Sequence, residues 1–149
     1  MNEIFVAYLK SIEMQSPNID FVSQNCKLIE SKFLPSLKEE ITDIFVEENV
    51  SEDNKKRKYE NIYFITKSFF IEVKMASGIG ELSISPIKDV RFLEAKRKDY
   101  DFETATPESR MRIRFSFSQF GSVELNASGT NCDKLTEIMY KYILPKMII

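Results

Sequence analysis

The side chains that could carry chemistry in this chain are basic and carboxylic, and they gather in two places. Between positions 47 and 58 the acids Glu47, Glu48, Glu52 and Asp53 give way to Lys55, Lys56, Arg57 and Lys58. Four consecutive cations at the end of a loop suit an anionic partner; beside four acids they also suit a solvated hairpin loop, which is the commoner role of such a run. Further along, Arg110, Arg112 and Arg114 recur at every second residue. In a strand that spacing puts three guanidinium groups on one face, about 7 Å apart. These seven residues are the candidate anion or partner contacts.

Histidine is absent from the chain. This removes Ser-His-Asp and Cys-His nucleophiles, histidine bases and histidine metal ligands together. Carboxylates, Lys, Tyr and Cys could still catalyse, but they form no recognisable constellation, so we expect no catalytic residues and no enzyme. Asp99, Asp101 and Glu103 are spaced two apart, as in calcium loops, but the glycine at the bend and the downstream bidentate acid are missing. Cys26 and Cys132 stand alone, outside any CxxC or Cys/His cluster. We therefore expect neither metal nor cofactor. Cys26 falls among apolar helical positions, where a buried thiol acts as a small hydrophobe.

The elements that would position the basic residues follow from periodicity. With 23 acids against 21 bases the chain is nearly neutral, so no overall field gathers nucleic acid. Its start has no basic leader, and no apolar run reaches membrane-spanning length, which predicts a cytosolic protein kept reduced. Ile4, Phe5, Tyr8, Leu9 and Ile12 form a helical stripe over positions 2 to 15, with Asn2 as N-cap. Val22, Cys26, Ile29 and Phe33 form a second over 19 to 34, ended by Pro35. These helices are expected either to cover an open side of a sheet or to build a partner groove; covering is the expectation we prefer, since neighbours joined by short loops pack on each other.

Strands are predicted over 41–48, 59–66, 69–75, 81–85, 89–98 and 110–118, and around Val123 and Leu125. Lys67-Ser68 gives a tight hairpin. A bulge is expected near Phe92, because Val90 and Phe92 fall on one face and Leu93 and Ala95 on the other. Met111, Ile113, Phe115 and Phe117 should point inward, with the three arginines outward. Residues 96 to 107 read as a long exposed loop. Thr130 and Asp133 carry a capping signature for a last helix, with Leu135, Ile138, Met139 and Tyr142 as its apolar stripe.

The stretch Asn61-Ile-Tyr-Phe-Ile-Thr-Lys-Ser-Phe-Phe-Ile-Glu-Val resembles the strand, Thr-x-x, strand hairpin of bacterial pleckstrin-homology-like domains. Leu82-Ser-Ile-Ser-Pro-Ile-Lys-Asp-Val resembles the stretch that follows it there, and Gly121-Ser-Val-Glu-Leu the end of the domain. The resemblance covers about residues 38 to 149. It implies an α+β chain: a helical pair over 1–36, then over 37–149 a seven-stranded antiparallel barrel or sandwich capped by a C-terminal helix. Functionally it implies a non-catalytic protein- or peptide-binding module, with a strand added at an open sheet edge beside the last helix. An anionic phospholipid binder acting through Lys55–Lys58, or a small inhibitor or immunity-type protein, are the other readings.

Overall fold

The computed structural model describes residues 1–51, 53, 56–75, 81–99, 105–117 and 121–147. Helix α1 spans Glu3–Ser11, and its free first-turn amide at Ile4 donates to Asn2 Oδ1 at 2.8 Å. Helix α2 spans Ser16–Lys32, beginning earlier than the apolar stripe suggests. Pro17 lies in its first turn, where a missing N–H costs nothing because that amide has no helical acceptor. The same reasoning places Pro35 at the start of a short α3, Leu34–Leu37, rather than simply after α2. Lys38, at φ 56, ends it in the left-handed region.

Strands β1 (Asp43–Val50), β2 (Arg57–Ile65), β3 (Phe69–Lys74) and β4 (Leu82–Pro86) form one antiparallel sheet in that order. The β2–β3 hairpin has no Asn-Gly turn. Thr66 replaces it: its Oγ1 accepts from the Phe69 and Ser68 amides, and its own N–H donates to Phe69 O. A 3-10 turn, Ile87–Asp89, leads to β5 (Val90–Lys98), β6 (Arg110–Phe117) and β7 (Gly121–Ser128), a second antiparallel sheet in that order. The register of β5 on β6 slips between Val90 and Phe92, where the bulge is expected. At 96–98, where the predicted strand and the expected loop overlap, the chain is strand, paired residue for residue with 110–112, and positions 100–104 of the expected loop lie outside the described residues.

The last helix begins as α4, Asn131–Ile138, widens to a π segment at Met139–Ile143, and ends as α5, Leu144–Met147. Pro145 explains the widening. It cannot donate to the carbonyl four residues back and its ring crowds that carbonyl; here the Leu144 amide reaches back to Met139 O instead. The capping signature at Thr130 is not used, as Thr130 makes no side-chain cap bond.

Two cores result, one on each face of the four-stranded sheet. Phe45, Tyr63, Ile65 and Phe70 face the three-stranded sheet, packing with Ile113, Phe115, Leu125 and, from the last helix, Leu135, Ile138 and Ile143. Ile44, Val46, Ile62, Phe64, Ile71 and Val73 face the other way and are covered by Phe5, Leu9, Val22, Cys26 and Ile29 of α1 and α2. Phe70 is therefore as buried as Ile71, and the alternation in β3 separates two cores rather than core from solvent. Ile84 is 40% exposed on the outer strand β4. The architecture is α+β, with sheets of four and three strands and a C-terminal helix; backbone pairing does not close the described strands into a barrel.

Candidate binding face and strand edge

The two sheets meet at β1 and β7 through side chains. The Val46 amide donates to Tyr8 Oη at 3.0 Å, Tyr8 Oη donates to Asn131 Oδ1 at 2.7 Å, and Asn131 Nδ2 donates to Val46 O at 2.9 Å. One residue on, the Glu47 carboxylate accepts from Asn126 N at 3.0 Å, Asn126 Nδ2 at 3.2 Å and Asn61 Nδ2 at 3.1 Å. Glu48 accepts from Ser128 Oγ at 2.9 Å. Its other oxygen faces Arg57 Nε at 3.2 Å as an ion pair, without a hydrogen bond. At the start of β1, Asp43 takes Lys134 Nζ at 2.6 Å and Tyr142 Oη at 3.1 Å from the last helix. Burial pushes the carboxyls of Glu47 and Glu48 above the usual range, against the pull of the groups that donate to them. Burial also holds the Tyr8 phenol protonated well above its ordinary value.

These contacts occupy the main-chain edge of β1 at Val46 and that of β7 at Asn126. The remaining outer strands are β4 and β5. β4 has five residues and ends on Pro86, which has no amide to offer. β5 has nine. The last helix runs beside it: Arg97 reaches Asp133 Oδ1 at 2.7 Å, Thr136 Oγ1 at 2.8 Å and Cys132 O at 3.3 Å, and α5 lies against the same strand. Ala95, on the inward-facing parity, is nevertheless exposed. The side chain of Arg97 is only 25% exposed, yet the residue as a whole is open to solvent, so its main chain supplies the difference.

The outer face of the three-stranded sheet is met by β1 at its β7 side, where Glu47 and Glu48 take Asn126 and Ser128, and opens to solvent toward β5, where Phe92, Lys96 and Lys98 are exposed. Its cross-strand rows are Phe92–Ser116–Ser122, Glu94–Arg114–Glu124, Lys96–Arg112–Asn126 and Lys98–Arg110–Ser128. Among the described residues, these rows hold five cations and two carboxylates. Arg112 and Arg114 share Glu124 at 3.2 and 3.7 Å, and Lys96 lies 3.7 Å from Glu94. At the Lys98 end a cleft of about 390 Å³ opens among Lys96, Lys98, Arg110, Arg112 and Ser128, with Glu48 in its wall. Phe92, at the opposite end, is 52% exposed.

The arginines at 110, 112 and 114 therefore sit where their alternation places them, but the basic run at 55–58 does not join them. Lys55 lies outside the described residues. Lys56 is exposed, and its amide donates to Ser51 Oγ. Arg57 opens β2 and is engaged: its guanidinium donates to Ile12 O at 3.0 Å and pairs with Glu48 and, at 3.6 Å, with Glu13. Lys58 is exposed near Glu60. Glu48 walls both the basic cleft and a second one containing Arg57, so the loop arginine and the strand arginines flank it from opposite sides. Glu47 and Glu48, where the predicted strand 41–48 overlaps the charged loop expected from 47, are strand residues, and they are buried rather than exposed because their partners come from β7.

Sequence reasoning missed Lys96 and Lys98, although Glu94-x-Lys96-x-Lys98 carries the same alternation as the arginines. It also missed Asn126 and Asn131, for which no local signal exists. Cys26 and Cys132 are free and lie in different cores; burial pushes each thiol up to about 12. Among the described residues no three His, Cys, Asp or Glu side chains form a metal-capable group; positions 101 and 103 lie outside them. No described helix is long and apolar enough to cross a membrane.

No family model matches the chain, and no curated protein matches it. Among solved structures, the C-terminal domain of an unknown protein from Leishmania infantum is similar over 78% of this chain and 96% of that one, at 14% identity and a TM-score of 0.47.

Proposed function

We propose that this protein is a non-catalytic binding module that takes an extended segment of a protein partner along the edge of β5, beside the C-terminal helix. The observation that carries the reading is the contrast between edges. Tyr8, Asn131 and Glu47 occupy β1 and β7, and Pro86 cuts β4 short, while β5, nine residues long, pairs among the described strands with β6 alone. An unpaired edge is a hazard that proteins normally blunt, and a strand-accepting site is the functional use of one. The order of four strands, three strands and a final helix supports a pleckstrin-homology-like fold for this module. Capture of partners from a lysate followed by amide exchange on the complex tests the reading. Protection should appear over residues 92–98. A complex that protects another surface and leaves β5 unchanged refutes it.

A second reading is adhesion to an anionic phospholipid surface, favoured by the five cations of the open sheet face, each able to contribute about 1 kcal/mol at a charged bilayer. Equal flotation with neutral and anionic vesicles at low salt refutes that one.

A further inference from the structure

A strand added to β5 is not free to carry any sequence. Residues paired across a ladder share a face, so alternate side chains of the incoming strand stand beside Phe92, Glu94, Lys96 and Lys98 and extend the rows of the open sheet face. Next to Lys98 and Arg110, and next to Lys96 and Arg112, two successive rows present cations at the β5 side. The acids Glu47 and Glu48 lie beyond β7, at the far side of the sheet. Next to Phe92 the row is apolar and then serine. The intervening row is headed by Glu94, which repels an acid. We propose that the strand taken at β5 is an acidic one, with Asp or Glu at two positions two residues apart, opposite Lys96 and Lys98, and an apolar side chain four residues from the nearer acid, opposite Phe92. The proposal rests on the edge-binding reading above and names its partner. A flat anionic membrane fits the same face less well, because Glu94 and Glu124 cross it between the basic end and Phe92.

The probe is a library of random 12-residue peptides displayed on phage, selected on the whole protein at low salt. Enriched peptides are then synthesised and titrated by fluorescence polarisation. Acid-x-acid pairs with an apolar residue at the stated spacing should be enriched, and binding should protect the β5 amides. Lys96→Glu with Lys98→Glu should weaken binding at least about tenfold, since attraction at two opposed pairs becomes repulsion. Lys96→Gln with Lys98→Gln, which alters the surface less, should weaken it about threefold. Lys10→Glu, on α1, should change nothing.

Enriched peptides that protect β5 but lack the acidic pair, or that ignore the charge reversal, overturn the proposal and leave edge binding standing. Peptides that leave β5 unprotected overturn both. Failure to enrich any sequence, with or without binding to phosphatidylserine vesicles, also counts against both.

Discussion

Replacing Glu47 by alanine should open the seam between the sheets. The carboxylate is 5% exposed and takes one main-chain and two side-chain donors, from Asn126 and Asn61. Hydrogen bonds to a charged partner contribute about 1.5–3 kcal/mol each, but both asparagines are half-buried and water can replace part of the loss. The cost of burying the carboxylate, visible in its raised pKa, is also relieved. Setting these against each other, Glu47→Ala should cost about 2–4 kcal/mol. Glu47→Gln keeps an acceptor for the Asn126 amide and should cost less than about 1 kcal/mol at neutral pH.

Urea denaturation measures both, and exchange of the Asn126 amide reports the seam directly. The pH dependence has a fixed sign. A carboxyl raised above its ordinary 4.5 binds its proton more tightly in the fold than in the unfolded chain, so its contribution falls as pH rises through that window. Wild type should therefore lose stability relative to Glu47→Gln between about pH 4 and neutrality. Asp99, whose carboxyl Arg97 holds below the usual range, acts in the opposite direction but cancels in this difference. If Glu47→Ala unfolds at the wild-type urea midpoint with the Asn126 amide still protected, the seam is not held as described.

Tyr8→Phe removes the acceptor of the Val46 amide and the donor to Asn131, and should cost about 1–3 kcal/mol in the same assay. Phe115→Ala, at a fully buried ring that packs on Phe70 and Phe117, should cost about 3–5 kcal/mol. Cys26 and Cys132, pushed up to about 12, should resist Ellman's reagent in the native protein at about pH 8 and react as urea unfolds it.

What the sequence made legible is what periodicity encodes. The alternation in β6 assigns its buried and open faces, and the stripe of Leu135, Ile138 and Met139 marks the buried side of the last helix. Even the β5 bulge follows from a change of parity. What stayed hidden depends on partners remote in the chain. Glu47 and Glu48 look like loop acids until Asn126 and Ser128 arrive beside them. Asn131 and Asp133 look like helix-start residues, but one is drawn to β1 and the other to Arg97. The double burial of β3 was equally unreadable, since it needs helices that precede the sheet by tens of residues. Lys96 and Lys98 fall within the predicted strand 89–98 but also within the charged stretch read as loop, and only the pairing with Arg112 and Arg110 sets them on the arginines' face.

The Tyr8–Val46–Asn131 relay also constrains how the chain can fold. Its members are separated by 38 and 85 residues, so β1 cannot have that stretch of its border closed until the start of the last helix has been made and docked. During synthesis β1 can pair with β2 long before then, exposing a sticky border to other nascent copies. Chains truncated before residue 131 are accordingly expected to enter inclusion bodies.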